Sequence, residues 1–430
     1  MNPQAVNLKY YVVDFFLLIN NDHPKEEGDE MVEKYDVVVA GGGPAGLVAA
    51  KAAAAEGAKV LLLELQAQIG GQTQSASWVP KDLLTPKLKG AVATKLKEVK
   101  LHALHEEVRV RGDLGAVVDR RQFDKLLAAE AASSGAEIWL SAPVRELLVT
   151  DGAVRGIRTE AGGWSEQIQA EVVVDATGAR GEWSSLLLRK VLGKDWHRER
   201  LAFSNEYLMA NLKDEKVAEL IFTSYFAPGG YAWIYPLEKG FAIAGIQGIR
   251  IHPDAALDEF IGKQAPPRLT GAVPVAAFRS QLPLGGPLKQ TCADGIIAVG
   301  GSAGQIYPLS GQGLRYALRC GEIAGRVAVD AVTDGDVARE RLSEYEQGWR
   351  SEFGSEFEVG GLLHSSLSVS QDRKMDSLLR ALVGKPRLQR AFIDVFTGFK
   401  PMRALPVLLK DAEIARVFGR ETVEKALALK

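Results

Sequence analysis

Cysteine is nearly absent. Cys292 and Cys320 are the only two in 430 residues. Two thiols cannot build a disulfide scaffold, an iron–sulfur cluster or a cysteine-rich zinc site, and no metal site is expected. Neither sign of charge dominates: Lys+Arg number 52 and Asp+Glu 54, so nothing pulls the whole chain toward nucleic acid. No run of 18 apolar residues exists, so no spanning helix is expected. The apolar stretch Tyr10–Ile19 is short, is interrupted by Asp14 and has no small-residue cleavage site after it, which argues against a signal peptide. The 44 glycines have no fixed period, which excludes collagen, and there is no internal repeat or low-complexity tract. What is present is ordinary globular composition, 47% hydrophobic and 25% charged. The length suggests two to three domains of about 150 residues each. The expected setting is reducing and cytoplasmic.

Met31 directly precedes the first strong strand signal. Lys25-Glu26-Glu27-Gly28-Asp29 can be encoded by a purine-rich run resembling a prokaryotic ribosome-binding site. Translation is therefore expected to start at Met31, with residues 1–30 a non-native leader.

Tyr35–Ala40 (YDVVVA) reads as a buried parallel strand. Gly41-Gly42-Gly43-Pro44-Ala45-Gly46 follows, then an alanine-rich helix from Leu47 to Glu56. A second strand, Lys59–Leu63, ends at Glu64. Strand, G-x-G-x-x-G, helix, strand and acid within about 30 residues form a dinucleotide fingerprint in its required context. Gly41 permits the tight turn. Gly43 lets backbone approach a pyrophosphate at the positive end of the helix, and Gly46 allows helix and strand to pack closely. Glu64 is placed to accept hydrogen bonds from the ribose of an adenosine. The fingerprint alone does not separate NAD from FAD.

Two more strand–glycine-turn units follow. Glu171–Ala176 leads into Thr177-Gly178-Ala179-Arg180-Gly181, and Gly295–Val299 leads into Gly300-Gly301-Ser302-Ala303-Gly304. Pro308-Leu309-Ser310-Gly311-Gln312-Gly313-Leu314 then opens a small-residue helix through Ala328. Asp119–Asp124 (DRRQFD) opens another helix, with Asp119 as its cap. Three such units spread over the chain describe one sheet interrupted by insertions.

With these motifs, residues 34–345 resemble the geranylgeranyl reductase family of flavoproteins, within the superfamily of p-hydroxybenzoate hydroxylase fold. The R-x-x-F-D signature is met by Arg120, Phe123 and Asp124. The V-G-D-A-A-G…N-P-L-T-G-x-G stretch is met by Val299–Gly313, and Y-x-W-x-F-P by Tyr231-Ala232-Trp233-Ile234-Tyr235-Pro236. The resemblance implies an α/β fold: a Rossmann-like FAD-binding domain, an antiparallel-sheet substrate domain and a helical C-terminal cap. It implies bound FAD, with Pro44, Ala45 and Glu64 at the ADP half and Arg120 and Val144 along the cofactor. Gly313 and Leu314 would meet the flavin ring. Two positions depart from the family pattern. Gly301 replaces the family aspartate, which leaves neighbouring Ser302 as its substitute toward the ribityl chain. Ser75 stands where the family often carries cysteine; it and Ala76 join the expected cofactor set.

Tyr231, Trp233 and Tyr235 alternate and so share one face of a strand. They are either an aromatic core stripe or, as the resemblance implies, a slot with Pro236 for a long apolar chain. Each buried CH₂ of such a chain contributes ~0.8 kcal/mol. The alternation also echoes the weaker W-x-W-x-I-P signature of flavin-dependent halogenases. Phe222–Gln247 is expected to form antiparallel strands around Pro228-Gly229-Gly230 and Glu238-Lys239-Gly240.

The activity implied is saturation of a C=C bond in a geranylgeranyl or polyprenyl chain of a lipid or quinone precursor, with hydride from flavin N5. The alternative is an O₂-using FAD monooxygenase or halogenase. No proton donor is assigned: Tyr231, Tyr235, Tyr307 and ordered water are candidates. His102, His105, His197, His252 and His364 lie outside the motifs. The electron donor is NAD(P)H or a reduced ferredoxin. Residues 81–100 carry six lysines against Asp82 and Glu98, and residues 373–430 carry 13 Lys+Arg against 6 Asp+Glu. Either patch suits a phosphate head or an anionic membrane surface, with solvated faces the commoner reading of the first. The tail, interleaved with Phe392, Phe396, Phe399 and Leu405, leaves open a peripheral contact with the inner face of the cell membrane.

The expected organisation is a discontinuous FAD-binding domain from 31–80, 115–200 and 285–345. Substrate-side insertions occupy 81–114 and 201–284. A helical C-terminal domain spans 346–430, breaking at Pro386, Pro401 and Pro406. Mass spectrometry of the native protein is expected to find Met31 at its N-terminus; a peptide from residues 1–30 would reject that start.

Overall fold

A computed structural model describes residues 34–71, 78–161, 164–181, 184–212, 216–264 and 267–429. The leader, Ser75 and Ala76 lie outside the described residues.

The continuous apolar run Val37–Ala40 has no exposed side chain, as a parallel strand covered on both faces requires. Lys34–Ala40 lies between Val60–Leu63 and Trp164–Asp175, parallel to both. Glu137–Trp139 extends the sheet beyond Val60–Leu63, and Ile296–Ala298 extends it beyond Trp164–Asp175, again in parallel. Cys292–Ala293 adds an antiparallel edge, and the hairpin Val144–Thr150/Ala153–Ala161 pairs onto Trp164–Asp175. The three glycine turns expected from sequence thus leave neighbouring strands of one sheet at the same end.

Helix Pro44–Ala55 packs on this sheet beside helix Leu314–Asp334, which runs past the expected end at Ala328. Small residues set their separation. A Cβ on Gly321 would stand 2.4 Å from the Ala45 carbonyl oxygen, and one on Gly325 2.4 Å from that of Ala49. Only glycine admits this approach.

A second, seven-stranded sheet runs in the order Val273–Pro283, Leu201–Ala210, Ala242–Ile249, Tyr231–Pro236, Ala218–Ile221, Glu98–His102, Glu107–Arg111. It is not purely antiparallel, as expected, because Ala218–Ile221 runs parallel to Glu98–His102. The two segments come from distant parts of the chain, so no hairpin dictates their direction. Residues 222–230 are a connection rather than a strand; the hairpin is Tyr231–Pro236 with Ala242–Ile249. One face of this sheet (Ala232, Ile234, Ala244, Ile246) packs with Leu257 and Phe260. The other carries Tyr231, Trp233 and Tyr235 into the main core.

The 30-residue helix Arg339–Ser368 runs through the domain boundary expected at residue 346, so the chain enters the cap without a break. Pro386 and Pro401 begin helices, where a missing N–H costs nothing. Pro406, an expected break, sits inside Pro401–Leu409 with its ring on the solvent side. Phe392, Phe396, Phe399 and Leu405 are all buried and present nothing to a membrane; Phe396 packs directly on Tyr231, with Phe392 on Phe222 and Phe399 on Trp78 beside it. Phe396→Ala is expected to cost about 3–5 kcal/mol in chemical denaturation, since the ring packs on Phe222, Tyr231 and Phe392.

Candidate functional site

Gly41 has φ +110°, and a Cβ there would lie 2.5 Å from the Ala176 carbonyl oxygen. A Cβ on Gly46 would lie 2.0 Å from the Gly41 oxygen, whereas one on Gly43 meets nothing within 4 Å. The turn is thus closed against its own fold and open at Gly43, where Pro44 starts a helix without a side-chain cap. Uncapped first-turn amides facing open space form an anion site. Glu64 accepts hydrogen bonds from the backbone N–H of Gly42 at 2.7 Å and of Gln66 at 2.8 Å, which hold its carboxylate at the mouth of the turn. Burial raises its pKa while these bonds oppose the rise. Ala45 packs against the third glycine turn, 2.9 Å from where a Cβ on Gly300 would stand.

Arg120 opens helix Arg120–Ser133, capped by Asp119, which accepts from the amides of Arg121 and Gln122. The guanidinium pairs with Asp124 at 3.1 Å, and only 9% of the Arg120 side chain is exposed. It is a buried pair rather than a surface one. Val144 is buried in the first sheet's core at the start of its hairpin strand.

Asp175 had no signal beyond its place at the end of a strand. Its fully buried carboxylate accepts from the Thr177 hydroxyl at 2.5 Å and from the Leu187 amide at 3.0 Å. Burial pushes its pKa up and the hydrogen bonds pull it back. Ser302 accepts from the Gly178 amide at 3.0 Å and also hydrogen-bonds Asp175. The Ser302 hydroxyl thus fastens the two turns together, its hydrogen committed to Asp175. Gly301 stands alongside, and a Cβ there would be 3.3 Å from the Gly178 Cα.

The second sheet meets the loop Pro308–Gly313 directly. The Tyr231 hydroxyl donates to the Ser310 carbonyl at 2.8 Å, and the Gln247 amide donates to the same oxygen at 3.0 Å. Gly311, with φ +75°, lies so close that a Cβ would be 2.5 Å from the Gln247 amide oxygen. Gly313 leads into Leu314–Asp334, again without a side-chain cap, so a second helix presents its positive end here. Ser280, Ser204 and Gln247 are cross-strand neighbours on one row, with Tyr231 next. The hydroxyls of Ser204, Ser280 and Ser310 and the Trp233 indole N–H are buried without a hydrogen-bond partner among the described residues. Each orphan costs about 1–3 kcal/mol unless a ligand satisfies it. Orphaned donors, open glycine turns and two bare helix starts fit a long anionic dinucleotide with a polar ring edge, as FAD has.

Tyr231, Trp233 and Tyr235 share one face, with ring centroids 5.5 and 6.1 Å apart along the series. Phe396, Phe222 and Trp78 cover them, and Pro236 closes the strand. All three rings are buried; burial raises the hydroxyl pKa of Tyr231 and Tyr235, and likewise that of Tyr307. A narrow crevice remains beside Trp78, Leu83, Leu314, Arg315 and Phe399.

One acid in this face escaped the sequence reading. Glu206 sits opposite Gly245, itself opposite Trp233. A Cβ on Gly245 would touch the Glu206 Cγ at 2.7 Å and the Trp233 ring at 2.5 Å, so the Glu206 side chain and the indole both lean over the glycine. Glu206 is 4% exposed. Burial pushes its pKa up to about 8, against the pull of the Arg120 charge. Its only signal was an acid on the same alternating face as Ser204 and Leu208 in an apolar strand.

Residues 36–181 match the family described as FAD dependent oxidoreductase, and residues 201–277 the geranylgeranyl reductase catalytic domain. Digeranylgeranylglycerophospholipid reductase 2 of Methanopyrus kandleri is 34% identical over 404 residues, covering 88% of this chain and 99% of the relative. The chain belongs to the geranylgeranyl reductase family of FAD-dependent oxidoreductases. A second relative of the same name, from Methanothermobacter thermautotrophicus, is 32% identical over 88% of this chain and 99% of its own length. Among solved structures, a geranylgeranyl bacteriochlorophyll reductase-like protein from Thermoplasma acidophilum superposes with a TM-score of 0.79. It is 23% identical, and the match covers 93% of this chain and all of that one. A flavin-dependent brominase matches with TM-score 0.68 and 17% identity over 92% of this chain and 100% of its own; it shares the fold alone. Gly46→Val is expected to give a protein that purifies without flavin colour, because any side chain there collides with the Gly41 carbonyl; visible absorbance after incubation with excess FAD checks this.

Proposed function

We propose that this enzyme saturates C=C bonds in the geranylgeranyl chains of a lipid. The observation that carries the reading is the aromatic face Tyr231–Trp233–Tyr235 fastened through Ser310 to the loop that begins helix Leu314–Asp334. An apolar chain laid on that face would lie beside the place where the two bare helix starts hold a cofactor. The names of the curated relatives support a digeranylgeranyl glycerophospholipid as the substrate.

In this reading segments 31–80, 115–200 and 285–345 hold FAD, 81–114 and 201–284 hold the prenyl chain, and 346–430 cap both. Gly41, Gly43, Pro44, Ala45 and Gly46 would take the pyrophosphate, and Glu64 the ribose. Ser75, Ala76, Arg120, Val144 and Gly301 would follow along the cofactor, with Gly313 and Leu314 at the ring. When bound and reduced, FAD supplies hydride. The aromatic rings and the Phe396–Phe399 cap exclude water, and fixed placement of the alkene supplies much of the rate for a poor hydride acceptor. Electrons come from NAD(P)H or a reduced ferredoxin. Among the described residues no helix is long and apolar enough to cross a membrane. Peripheral contact with an anionic bilayer surface is supported by the exposed Lys87, Lys89 and Lys95.

The test is anaerobic. Dithionite-reduced enzyme given a digeranylgeranyl glycerophospholipid is expected to reoxidise its flavin and add two mass units per bond saturated; a requirement for O₂ would reject the reading. Trp233→Ala is expected to remove about 1.5–3 kcal/mol of chain contact, raising KM about tenfold or more.

A further inference from the structure

Glu206 is the one carboxyl on the aromatic face of the second sheet's central strands. Across the sheet, its row runs Phe278, Glu206, Gly245, Trp233, Leu220. The row beside it holds Ser280, Ser204, Gln247 and Tyr231, and the row on its other side holds Ala276, Leu208, Ile243 and Tyr235. Apart from Glu206 these side chains are neutral. The charge felt from outside the sheet is that of Arg120, already paired with Asp124. Tyr231 and Tyr235 are the titratable groups that face it.

A carboxyl 4% exposed makes no hydrogen bond that is found among the described residues, while Trp233 beside it leaves its own N–H unpartnered. An ionised carboxylate in that position would be costly without a bonded cation. Arg120 acts on Glu206 only through its charge and makes no hydrogen bond to it, while its Nε and Nη2 bind Asp124. The uncharged acid is the form this environment supports, and an acid kept neutral in a dry slot is a proton source.

Resting on the reductase reading above, we infer that Glu206 donates the proton that completes alkene saturation. The alkene π bond is consumed. One carbon receives hydride, which carries both electrons, from the reduced flavin; the other forms its C–H bond as the Glu206 O–H bond breaks. The carboxylate left behind takes a proton from water before the next turnover. Tyr231, a candidate from sequence, has its hydroxyl hydrogen committed to the Ser310 carbonyl. The Tyr235 and Tyr307 phenols are held far more firmly protonated, since burial raises each further above its already basic range.

The test uses the FAD-loaded full chain as wild type, Glu206→Gln and Glu206→Asp. By infrared difference spectroscopy, wild type at pH 7 is expected to show a carboxylic-acid C=O band that Glu206→Gln lacks and that fades as pH rises through about 8. In anaerobic single turnover with reduced enzyme and digeranylgeranyl glycerophospholipid, wild type is expected to lose rate over the same pH interval. Glu206→Gln is expected to keep its flavin spectrum and its affinity for the lipid while slowing about 10²–10⁴-fold, and Glu206→Asp to recover part of the rate. Thermal unfolding gives an independent reading. Native Glu206 keeps its proton where the unfolded chain has released it, so wild-type stability falls between about pH 4.5 and about pH 8 relative to Glu206→Gln. A wild type without the band at pH 7, or a Glu206→Gln enzyme that saturates the lipid at the wild-type rate, overturns the inference. A wild type that shows the band yet saturates nothing removes the reductase reading, and the donor role with it.

Discussion

Two hydrogen bonds onto one carbonyl oxygen join the halves of this protein. Tyr231 and Gln247 belong to the seven-stranded sheet; Ser310 belongs to the loop that follows the parallel sheet and leads into helix Leu314–Asp334. A buried carbonyl with two donors is satisfied, and removing either donor would leave a desolvated oxygen short of a partner. The bonds also fix a distance, because Gly311 has no side chain to hold the loop off the sheet. The contact also sets the aromatic face of Tyr231 against the loop that leads into helix Leu314–Asp334.

A second constraint acts on the nucleotide side. Asp175, Thr177, Ser302 and Gly178 form a small polar knot between two of the glycine turns. In a family whose pattern has an acid at position 301, this chain has glycine there and has turned the neighbouring serine inward. Rigidity of the turns then comes from within the protein.

Legibility in the sequence followed the range of the interactions involved. The strand–turn–helix unit at Tyr35–Glu64 is local, and glycine spacing reports it directly. The shared face of Tyr231, Trp233 and Tyr235 follows from the period of a strand. Pairing between segments far apart in the chain left no such trace: nothing local sets Ala218–Ile221 parallel to Glu98–His102. Pro406 misled because a proline on the solvent side of a short helix removes only a bond that water replaces. The tail's phenylalanines read equally well as a membrane face or a core face, since periodicity gives the stripe but not its partner. Glu206 was silent for a related reason. Its meaning lies in Gly245 and Trp233, which reach it only across the sheet.

The Arg339–Ser368 helix and the short helices after it carry Phe396 and Phe399 back over Tyr231 and Trp78. The lid on the aromatic face therefore leaves the ribosome more than a hundred residues after the sheet it covers. Until it arrives, a sheet face rich in aromatic rings stays bare while synthesis continues, a situation that favours chaperone capture or premature association. Truncation near the C-terminus would thus be felt first as poor yield of soluble protein, well before any effect on chemistry could be observed.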